Sequence, residues 1–297
     1  MCELLGMDCN TPTDLVFSFT GFACRGGRTG PHADGWGVAF FEGPAARLFL
    51  ETRACAASPL ASFLRSHSIK TYQAVAHIRQ KTRGKVKLAN THPFQRELWG
   101  QHWVFAHNGT LRDAHTLSLG RFTPIGDTDS ERAFCHLLER LRVRFPEGPP
   151  RRARDLWEHI AEVAGELAER GTFNFILGNG RHLFARCDTR LSYLVREAPF
   201  GTATLADEEI SVDFRQFTTP RDRVAVIATA PLTRDEVWTL GKPAEMWVFR
   251  RGRRVATLTS GRPIARPKVR VRRAPMSKAP AARPSIIPVG LAADAAE

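Results

Sequence analysis

The sequence has 297 residues, of which 43% are hydrophobic and 25% are charged, so it can bury a large core in one large domain or two smaller ones. It contains no stretch apolar enough to span a bilayer, and its N-terminus lacks the basic and apolar segments of a secretory signal. We therefore expect a globular protein without a membrane span, located in the cytoplasm.

The formal net charge of +13 comes largely from one segment near the C-terminus. Residues 250–284 contain twelve Lys and Arg side chains and no Asp or Glu; the segment begins as a hairpin candidate around Gly252 and then becomes rich in Pro, Arg and Ala. We predict a disordered basic tail over residues 262–297. This tail is expected to be solvated, or to tether the protein weakly to nucleic acid or an anionic surface. It has no aromatic residue for specific base stacking.

The six cysteines are scattered, without a C-x-x-C pair or a Cys/His cluster at zinc-ligand spacing. In a reducing compartment most of them are expected to be small buried hydrophobic side chains. The cysteine pattern therefore predicts no metal site.

The first half of the chain contains one predicted helix and two predicted strands. Ser58 as N-cap and Pro59 at the first helical position predict a helix in SPLASFLRS. The run TYQAVAHIR is a candidate for a buried strand. The run HWVFAHNGTL is predicted to be a strand that enters a turn at Asn108 and Gly109.

The second half contains two predicted helices, a hairpin and another strand. Thr128 and Glu131 predict a capping box that opens an amphipathic helix in TDSERAFCHLLERL. A second helix is predicted to end at Gly171, and FNFILGNGRHLFARC to form a hairpin with its turn near Asn179 and Gly180. RVAVIATAPL is another candidate for a buried strand. The apolar face of the second helix consists of Leu156, Ile160, Val163 and Leu167.

Strand pairs and helix pairs that follow each other in blocks are typical of helices packed over antiparallel sheets. The chain shows no internal repeat and no obvious linker before the tail. The sequence therefore predicts one domain over residues 2–258.

Cys2 lies one peptide bond from the start of the chain, where a side chain is hard to pack. One explanation is that it belongs to a frayed terminus without a role. The other is that Met1 is removed, which leaves Cys2 with a thiol and a free α-amine. The reference pKa of an α-amine is about 7.7 to 8.0, so an appreciable fraction is neutral near pH 7 and can accept the thiol proton.

Four further residues have the chemistry that a thiol attacking an amide would need. Asn108 and Gly109 favour a hairpin turn, but they also offer an amide side chain and a backbone N–H for an oxyanion hole. Arg79 either forms a surface ion pair or binds a carboxylate through two hydrogen bonds. Asp129 either complements the helix N-terminus that Thr128 opens or holds an ammonium group.

The order of these motifs resembles one family of enzymes. Cys2 is followed by AHIRQKTRG, NTHPF, AHNG and GDTDSE. This succession resembles the class II glutamine amidotransferases, whose glutaminase domain belongs to the N-terminal nucleophile (Ntn) hydrolase superfamily. MCELLGM, TGPHADGWG and FNFILGNGRHLFARC resemble the stand-alone bacterial branch of that class, the YafJ-like proteins. The resemblance runs from residue 1 to about residue 258 and leaves out the basic tail.

The resemblance implies an α+β fold: a four-layer αββα sandwich of two antiparallel sheets between helix layers. It implies that Cys2 is the nucleophile, with its α-amine as the base, and that Asn108 and Gly109 form the oxyanion hole. It also implies that Arg79 binds the α-carboxylate of glutamine and that Asp129 binds its α-ammonium group.

Two matched positions and one loop have less defined roles. His92 in THPF matches a histidine near the glutamine pocket, and a role in the core or behind the pocket is at least as expected as substrate contact. Gln80 follows Arg79 where several relatives carry Trp, which leaves pocket closure and the substrate open. The loop RGGRTGPHADGWG lacks the G-K-[ST] of a phosphate loop and leads into a strand, so we interpret it as a mobile loop near the pocket, with Asp34 and Trp36 as further candidates.

The implied reaction is hydrolysis of the γ-amide of glutamine, or of a γ-glutamyl compound, through a thioester on Cys2, with release of ammonia and without a metal or organic cofactor. Three hypotheses describe its use. The chain is a glutaminase subunit that feeds a separate synthase, a hydrolase of γ-glutamyl peptides or amides other than glutamine, or a non-catalytic anion-binding protein that acts through its basic tail. The complete set of matched residues argues against the third.

Overall fold

Within residues 2–81 and 85–261, which the computed structural model describes, fifteen strands and four α-helices are present. The predicted basic tail, residues 262–297, and Met1 lie outside the described residues. The helices are α1 Val16–Cys24, α2 Pro59–Ser66, α3 Asp129–Arg144 and α4 Ala153–Ala168. The strands are β1 Glu3–Thr13, β2 Trp36–Glu42, β3 Ala45–Glu51, β4 Thr71–Ile78, β5 Phe94–Leu98, β6 Gln101–Leu111, β7 Gly171–Gly178, β8 Leu183–Cys187, β9 Ser192–Glu197, β10 Thr202–Thr204, β11 Ser211–Asp213, β12 Arg223–Ala228, β13 Thr239–Leu240, β14 Glu245–Arg250 and β15 Arg253–Thr259.

The strands form two large antiparallel sheets and one small pair. The first sheet has seven strands in the order β13-β9-β12-β1-β4-β2-β3, and the second has six in the order β15-β14-β8-β7-β6-β5. Strands β10 and β11 form a separate two-stranded sheet. In both large sheets, some strands that are far apart in sequence pair with each other. Strand β1, at the start of the chain, therefore lies in the middle of the first sheet.

Three apolar clusters hold the two sheets and the helices together. On β1, Leu5 faces outward and packs in one cluster with Phe19 of α1 and Leu64 of α2. Leu4 points the other way and packs between the sheets with Ile176 of β7, as expected from the alternation of side chains along a strand. Helices α3 and α4 cover the outer face of the second sheet through the third cluster. The layers confirm the αββα sandwich of two antiparallel sheets between helices.

Several local predictions are confirmed. The hydroxyl oxygen of Ser58 accepts a hydrogen bond from the backbone N–H of Ala61 at 2.9 Å, and α2 begins at Pro59. TYQAVAHIR forms β4 and RVAVIATAPL forms β12, which pairs with β1 in the middle of the first sheet. The hairpins predicted around Gly180 and Gly252 are present, with positive φ angles of 76° and 73° at these glycines.

The turn predicted at Asn108 and Gly109 is wrong. Strand β6 continues to Leu111, and it pairs with β7 so that Asn108 lies opposite Asn174. Gly109 is needed for a different reason: a Cβ at this position would overlap the backbone carbonyl of Thr172. The glycine therefore permits a close approach of two strands and does not make a turn.

Two predictions about helix ends also need correction. Helix α4 ends at Ala168, and Gly171 is the first residue of β7. Thr128 caps α3 by accepting a hydrogen bond from the N–H of Glu131 at 3.2 Å, but the Glu131 carboxylate does not complete a capping box. It pairs with Arg96 and accepts hydrogen bonds from two backbone N–H groups that precede the helix, those of Ile125 and Gly126.

Candidate active site

A cavity of about 300 Å³ lies at one end of the sandwich, where both sheets and the N-terminus of α3 meet. It is lined by residues from β6, β7 and α3, by the residue before β1 and by the residues that follow β4. The six residues to which the resemblance gave a place in the site all lie on its wall: Cys2, Arg79, His92, Asn108, Gly109 and Asp129.

Strand pairing brings Cys2 next to Arg79. Because β1 and β4 are antiparallel with Glu3 opposite Ile78, the residue that precedes β1 and those that follow β4 lie at the same edge of the sheet. The Cys2 thiol contacts the backbone N–H and the backbone carbonyl of Gln80, the residue that follows Arg79. The Gln80 N–H donates to Sγ at 3.3 Å, and Sγ lies 3.4 Å from the Gln80 carbonyl oxygen.

Burial is the main influence on the Cys2 thiol and raises its pKa. The hydrogen bond from Gln80 and the positive charge of Arg79 act in the opposite direction, and the carboxylate of Glu3 adds to the increase. The thiol is therefore protonated near pH 7 and needs a base before it can act as a nucleophile.

Asn108 holds the backbone of Cys2 from the opposite sheet. Its Nδ2 donates to the Cys2 carbonyl oxygen at 2.6 Å, and its side chain is buried. An amide nitrogen carries two hydrogens, so a second N–H remains for another acceptor. The carbonyl of Asn108 accepts a hydrogen bond from Nδ2 of Asn174 at 3.0 Å, and Asn174 is a buried residue that the sequence analysis did not single out.

Arg79 and Asp129 lie on the cavity wall with opposite charges. Arg79 is buried, its Nη1 donates to the carbonyl of Lys85 at 3.3 Å, and it forms no ion pair with any residue that the structure describes. The surface ion pair that the sequence also allowed is therefore absent there. Asp129 is the first residue of α3, and its carboxylate accepts hydrogen bonds from the N–H groups of Ser130 at 2.9 Å and Leu111 at 2.6 Å.

Two buried histidines, His92 and His107, line the cavity, and a third, His77, packs against His92. The ring of His92 stacks on that of His77 at 4.3 Å, and it also contacts Phe94. Burial lowers the pKa of His77 to about 3 and the pKa of His92 well below its ordinary value, so both rings are neutral near pH 7. His107, which the sequence analysis did not assign, lies 2.8 Å from the Ser130 hydroxyl through Nδ1.

The loop before β2 contributes differently from the prediction. Trp36 is fully buried and packs against Phe19 in the core, with ring centroids 5.7 Å apart, so it does not line the cavity. Asp34 contacts the backbone on both sides of Gln80. This loop leads into a strand, as predicted.

The described residues contain neither a metal-binding cluster nor a membrane-spanning helix. Residues 2–81 and 85–261 contain no group of three or more His, Cys, Asp or Glu side chains placed to hold a metal ion. No helix in the same ranges is long and apolar enough to cross a membrane.

Comparison with known proteins decides the family. The family model of class II glutamine amidotransferases matches residues 1–273. The chain belongs to this family. YafJ of Escherichia coli is 50% identical over 255 residues, which are 86% of this chain and 100% of YafJ. A Haemophilus influenzae protein is 46% identical over 256 residues and covers 86% of each chain.

Solved structures agree with the amidotransferase family and the fold. The crystal structure of a predicted glutamine amidotransferase from Pseudomonas aeruginosa superposes with a TM-score of 0.69 at 44% identity, covering 86% of this chain and 100% of that one. Glutamine phosphoribosylpyrophosphate amidotransferase from Bacillus subtilis superposes with a TM-score of 0.57 at 15% identity, covering 88% of this chain and 49% of that one. At this low identity the second likeness concerns the Ntn-hydrolase fold alone.

Proposed function

We propose that this protein hydrolyses the γ-amide of glutamine through a thioester on Cys2 and releases ammonia, or hydrolyses a γ-glutamyl compound in the same way and releases its amine. The observation that carries the proposal is that one cavity contains the Cys2 thiol, the guanidinium of Arg79 and the carboxylate of Asp129. The guanidinium and the carboxylate are complementary to the α-carboxylate and the α-ammonium group of an amino acid. The thiol is a suitable nucleophile for an amide in its side chain.

The base in this mechanism is the α-amine that appears when Met1 is removed. The pKa of the thiol is raised by burial, while an α-amine has a pKa near neutrality, about 7.7 to 8.0, so the amine can take the thiol proton as the sulfur attacks. None of the buried histidines is needed for this step. With the pKa of His92 held well below its ordinary value, that ring is a neutral part of the cavity wall.

Attack of sulfur on the γ-carbonyl forms a C–S bond and moves an electron pair onto the carbonyl oxygen. The second N–H of Asn108 and the backbone N–H of Gly109 donate to this oxyanion. Collapse of the intermediate breaks the C–N bond. The protonated α-amine of Cys2 returns its proton to the departing nitrogen as ammonia leaves. Water then attacks the thioester, the amine takes a proton from that water, and glutamate and the Cys2 thiol are released.

Substrate binding is assigned to the two charged side chains. Arg79 binds the α-carboxylate, because a buried guanidinium without an ion-pair partner among the described residues gains most from a bidentate pair with an anion. Asp129 binds the α-ammonium group with lone pairs that its two backbone hydrogen bonds leave free.

We assign this activity to residues 2–258 and none of it to the basic tail. A chain that ends at residue 261 should then hydrolyse its substrate at nearly the full rate. A truncated chain that folds and is inactive would show that the tail belongs to the enzyme.

The proposed activity has two possible uses. Either the substrate is glutamine and a separate synthase accepts the ammonia, or the physiological substrate is a γ-glutamyl peptide or amide other than glutamine, whose amine is released instead. A screen of glutamine and γ-glutamyl amides and peptides for glutamate release separates them, with Cys2→Ser as the negative control. Efficient hydrolysis of glutamine supports the subunit role, and a preference for a larger γ-glutamyl compound supports the second role. No glutamate from any compound contradicts the proposed function.

A further inference from the structure

Strands β2 and β4 are paired, and two more backbone hydrogen bonds extend this pairing towards the cavity, between residues 34–35 and Arg79. The N–H of Arg79 donates to the carbonyl of Gly35 at 2.8 Å, and the N–H of Asp34 donates to the carbonyl of Arg79 at 3.2 Å. These bonds fix the residue immediately before Gln80.

A side chain fixes the residue immediately after Gln80. The carboxylate of Asp34 accepts a hydrogen bond from the backbone N–H of Lys81 through Oδ2 at 2.9 Å. Asp34 therefore binds the chain on both sides of Gln80, once through its own backbone and once through its carboxylate. Gln80 is the residue whose N–H and carbonyl both contact the Cys2 thiol, at 3.3 and 3.4 Å.

The local sequence explains how Asp34 reaches this position. Gly35 has a φ of +113°, which residues with a side chain rarely adopt, and a Cβ there would lie 2.9 Å from the carbonyl oxygen of Glu51. Only glycine allows the chain to turn here between Asp34 and strand β2. The Asp-Gly pair of HADGWG is thus required by the contact with residues 79–81.

We propose that Asp34 is a positioning residue for the nucleophile: by binding the Lys81 N–H, its carboxylate holds Gln80 against the Cys2 sulfur and Arg79 beside the cavity. The catalytic consequence rests on the proposed function, whereas the effect on the thiol does not. Asp34 touches neither the sulfur nor the proposed substrate, and it acts through the backbone of its neighbours.

The consequence for the thiol follows from what surrounds Cys2. The Gln80 N–H and the Arg79 guanidinium favour the thiolate, while burial and the carboxylate of Glu3 oppose it. Loosening residues 79–81 weakens both favourable contacts at once. The thiol then ionises at higher pH, and at pH 7 a smaller fraction of it is reactive.

The experiment compares Asp34→Ala with Asp34→Asn, because asparagine keeps an oxygen that can accept the Lys81 N–H and loses only the charge. The matched controls are Asp235→Ala and Asp235→Asn. Asp235 also accepts one backbone N–H from another segment, that of Thr204 at 2.9 Å, and it lies outside the cavity. The rate of Cys2 alkylation by iodoacetamide is measured against pH, with the modified cysteine identified by mass spectrometry.

We expect Asp34→Ala to move the alkylation profile to higher pH and to slow Cys2 alkylation at pH 7 by about threefold to tenfold. Its kcat on the best substrate should fall by a similar factor. Asp34→Asn should keep the wild-type profile, and both Asp235 variants should do the same. If Asp34→Ala does not fold, Asp34→Glu, which displaces the carboxylate by one methylene, should show the same shift in a folded chain.

A wild-type profile in folded Asp34→Ala, or in Asp34→Glu where it replaces Asp34→Ala, would overturn the proposal. So would an equal shift in Asp34→Asn, because asparagine keeps an acceptor for the Lys81 N–H, and loss of that hydrogen bond could then not be the cause. Alkylation needs no substrate, so this test remains decisive even if the wild-type protein releases no glutamate, a result that would contradict only the proposed function.

Discussion

Cys2, just before the start of β1, and Asp8, in the middle of the same strand, are polar groups shielded in contrasting ways. Cys2 is partly buried and faces a cavity of about 300 Å³ together with Arg79 and Asn108. Six residues further along, about 20 Å away at the rise of a strand, Asp8 is buried and enclosed by protein. Its carboxylate accepts hydrogen bonds from the N–H of Gly252 at 2.7 Å and from Nε2 of Gln73 at 3.2 Å.

Burial raises the pKa of both groups, and the difference lies in what the surrounding hydrogen-bond donors bind. It raises the pKa of the Cys2 thiol and raises the pKa of Asp8 to about 6. At Asp8, the Gly252 N–H closes the β14–β15 turn onto the sheet. Around Cys2, Arg79 forms no ion pair within residues 2–81 and 85–261, and the proposed function gives its guanidinium and one N–H of Asn108 to the substrate. Changes around Cys2 should therefore alter activity, and changes around Asp8 should alter stability.

The largest effect on activity is expected for Cys2→Ser. The serine proton is much harder to remove than the thiol proton, so kcat should fall by at least about a thousandfold. The free energy of unfolding should change little, because Cys2 is only partly buried. Cys24→Ser is the control: its thiol bonds the Thr20 carbonyl at 3.2 Å outside the cavity, and it should keep full activity. Wild-type turnover in Cys2→Ser would remove the nucleophile from the mechanism.

Asn108→Ala should have the next largest effect. It removes an oxyanion donor that acts chiefly in the transition state, so kcat should fall on the order of a hundredfold with a much smaller change in KM. Asn108→Asp keeps the shape of the side chain and loses the donor, so it should be similarly slow. Steady-state kinetics that match the wild type would leave Asn108 as a structural residue of β6.

Arg79→Lys should affect a different parameter. Lysine keeps the positive charge but loses the planar pair of donors, so KM should increase about tenfold while kcat changes less. Arg112→Lys, a change in an exposed arginine outside the cavity, is the matched control. A loss confined to kcat would show that Arg79 does not bind the ground state of the substrate.

Asp8→Asn should leave activity unchanged and alter how stability depends on pH. The folded-state pKa of Asp8 is about 6, above its ordinary value, so the folded chain binds more protons than the unfolded chain between about pH 4 and 6. The contribution of Asp8 to the free energy of unfolding is greatest below about pH 4 and falls by an amount on the order of 3 kcal/mol as the pH rises through 6.

Asparagine resembles the protonated carboxyl and does not titrate, so this part of the pH dependence should be missing in the variant. Urea unfolding of both proteins at pH 4, 5, 6 and 7 measures it. Parallel stability curves for wild type and Asp8→Asn would show that Asp8 is not the titrating group. A loss of glutamate release in the folded variant would contradict the separate roles of Cys2 in activity and Asp8 in stability.

The sequence was most informative where a local rule decides the structure. Ser58 and Pro59 begin α2 as predicted, because capping depends on neighbouring residues. Asn108 and Gly109 show the opposite case. Their turn propensity is overridden by pairing with β7, which is more than sixty residues away in sequence and was not visible in the local pattern. The six candidate residues lie around one cavity, and they were selected together through the family resemblance, because no local pattern contains their contacts.

The backbone contacts of the site were beyond sequence reasoning. Gln80 was noted only for its side chain, yet its N–H and carbonyl are what meet the Cys2 thiol. Asp34 was a candidate for the pocket, and its bond to the Lys81 N–H depends on how β2 aligns with β4. Backbone groups are present in every residue, so only the tertiary alignment shows which of them contact the nucleophile.

Intact-mass measurement after reaction with a glutamine analogue that carries a diazoketone in place of the γ-amide would show whether Cys2 acts as the first residue of the mature chain. We expect a chain that lacks Met1 and carries one adduct, located on Cys2, and no adduct on Cys2→Ser. Excess substrate should slow the labelling. Full hydrolytic activity in a chain that keeps Met1, or an active wild-type chain without an adduct on Cys2, would contradict this role of Cys2.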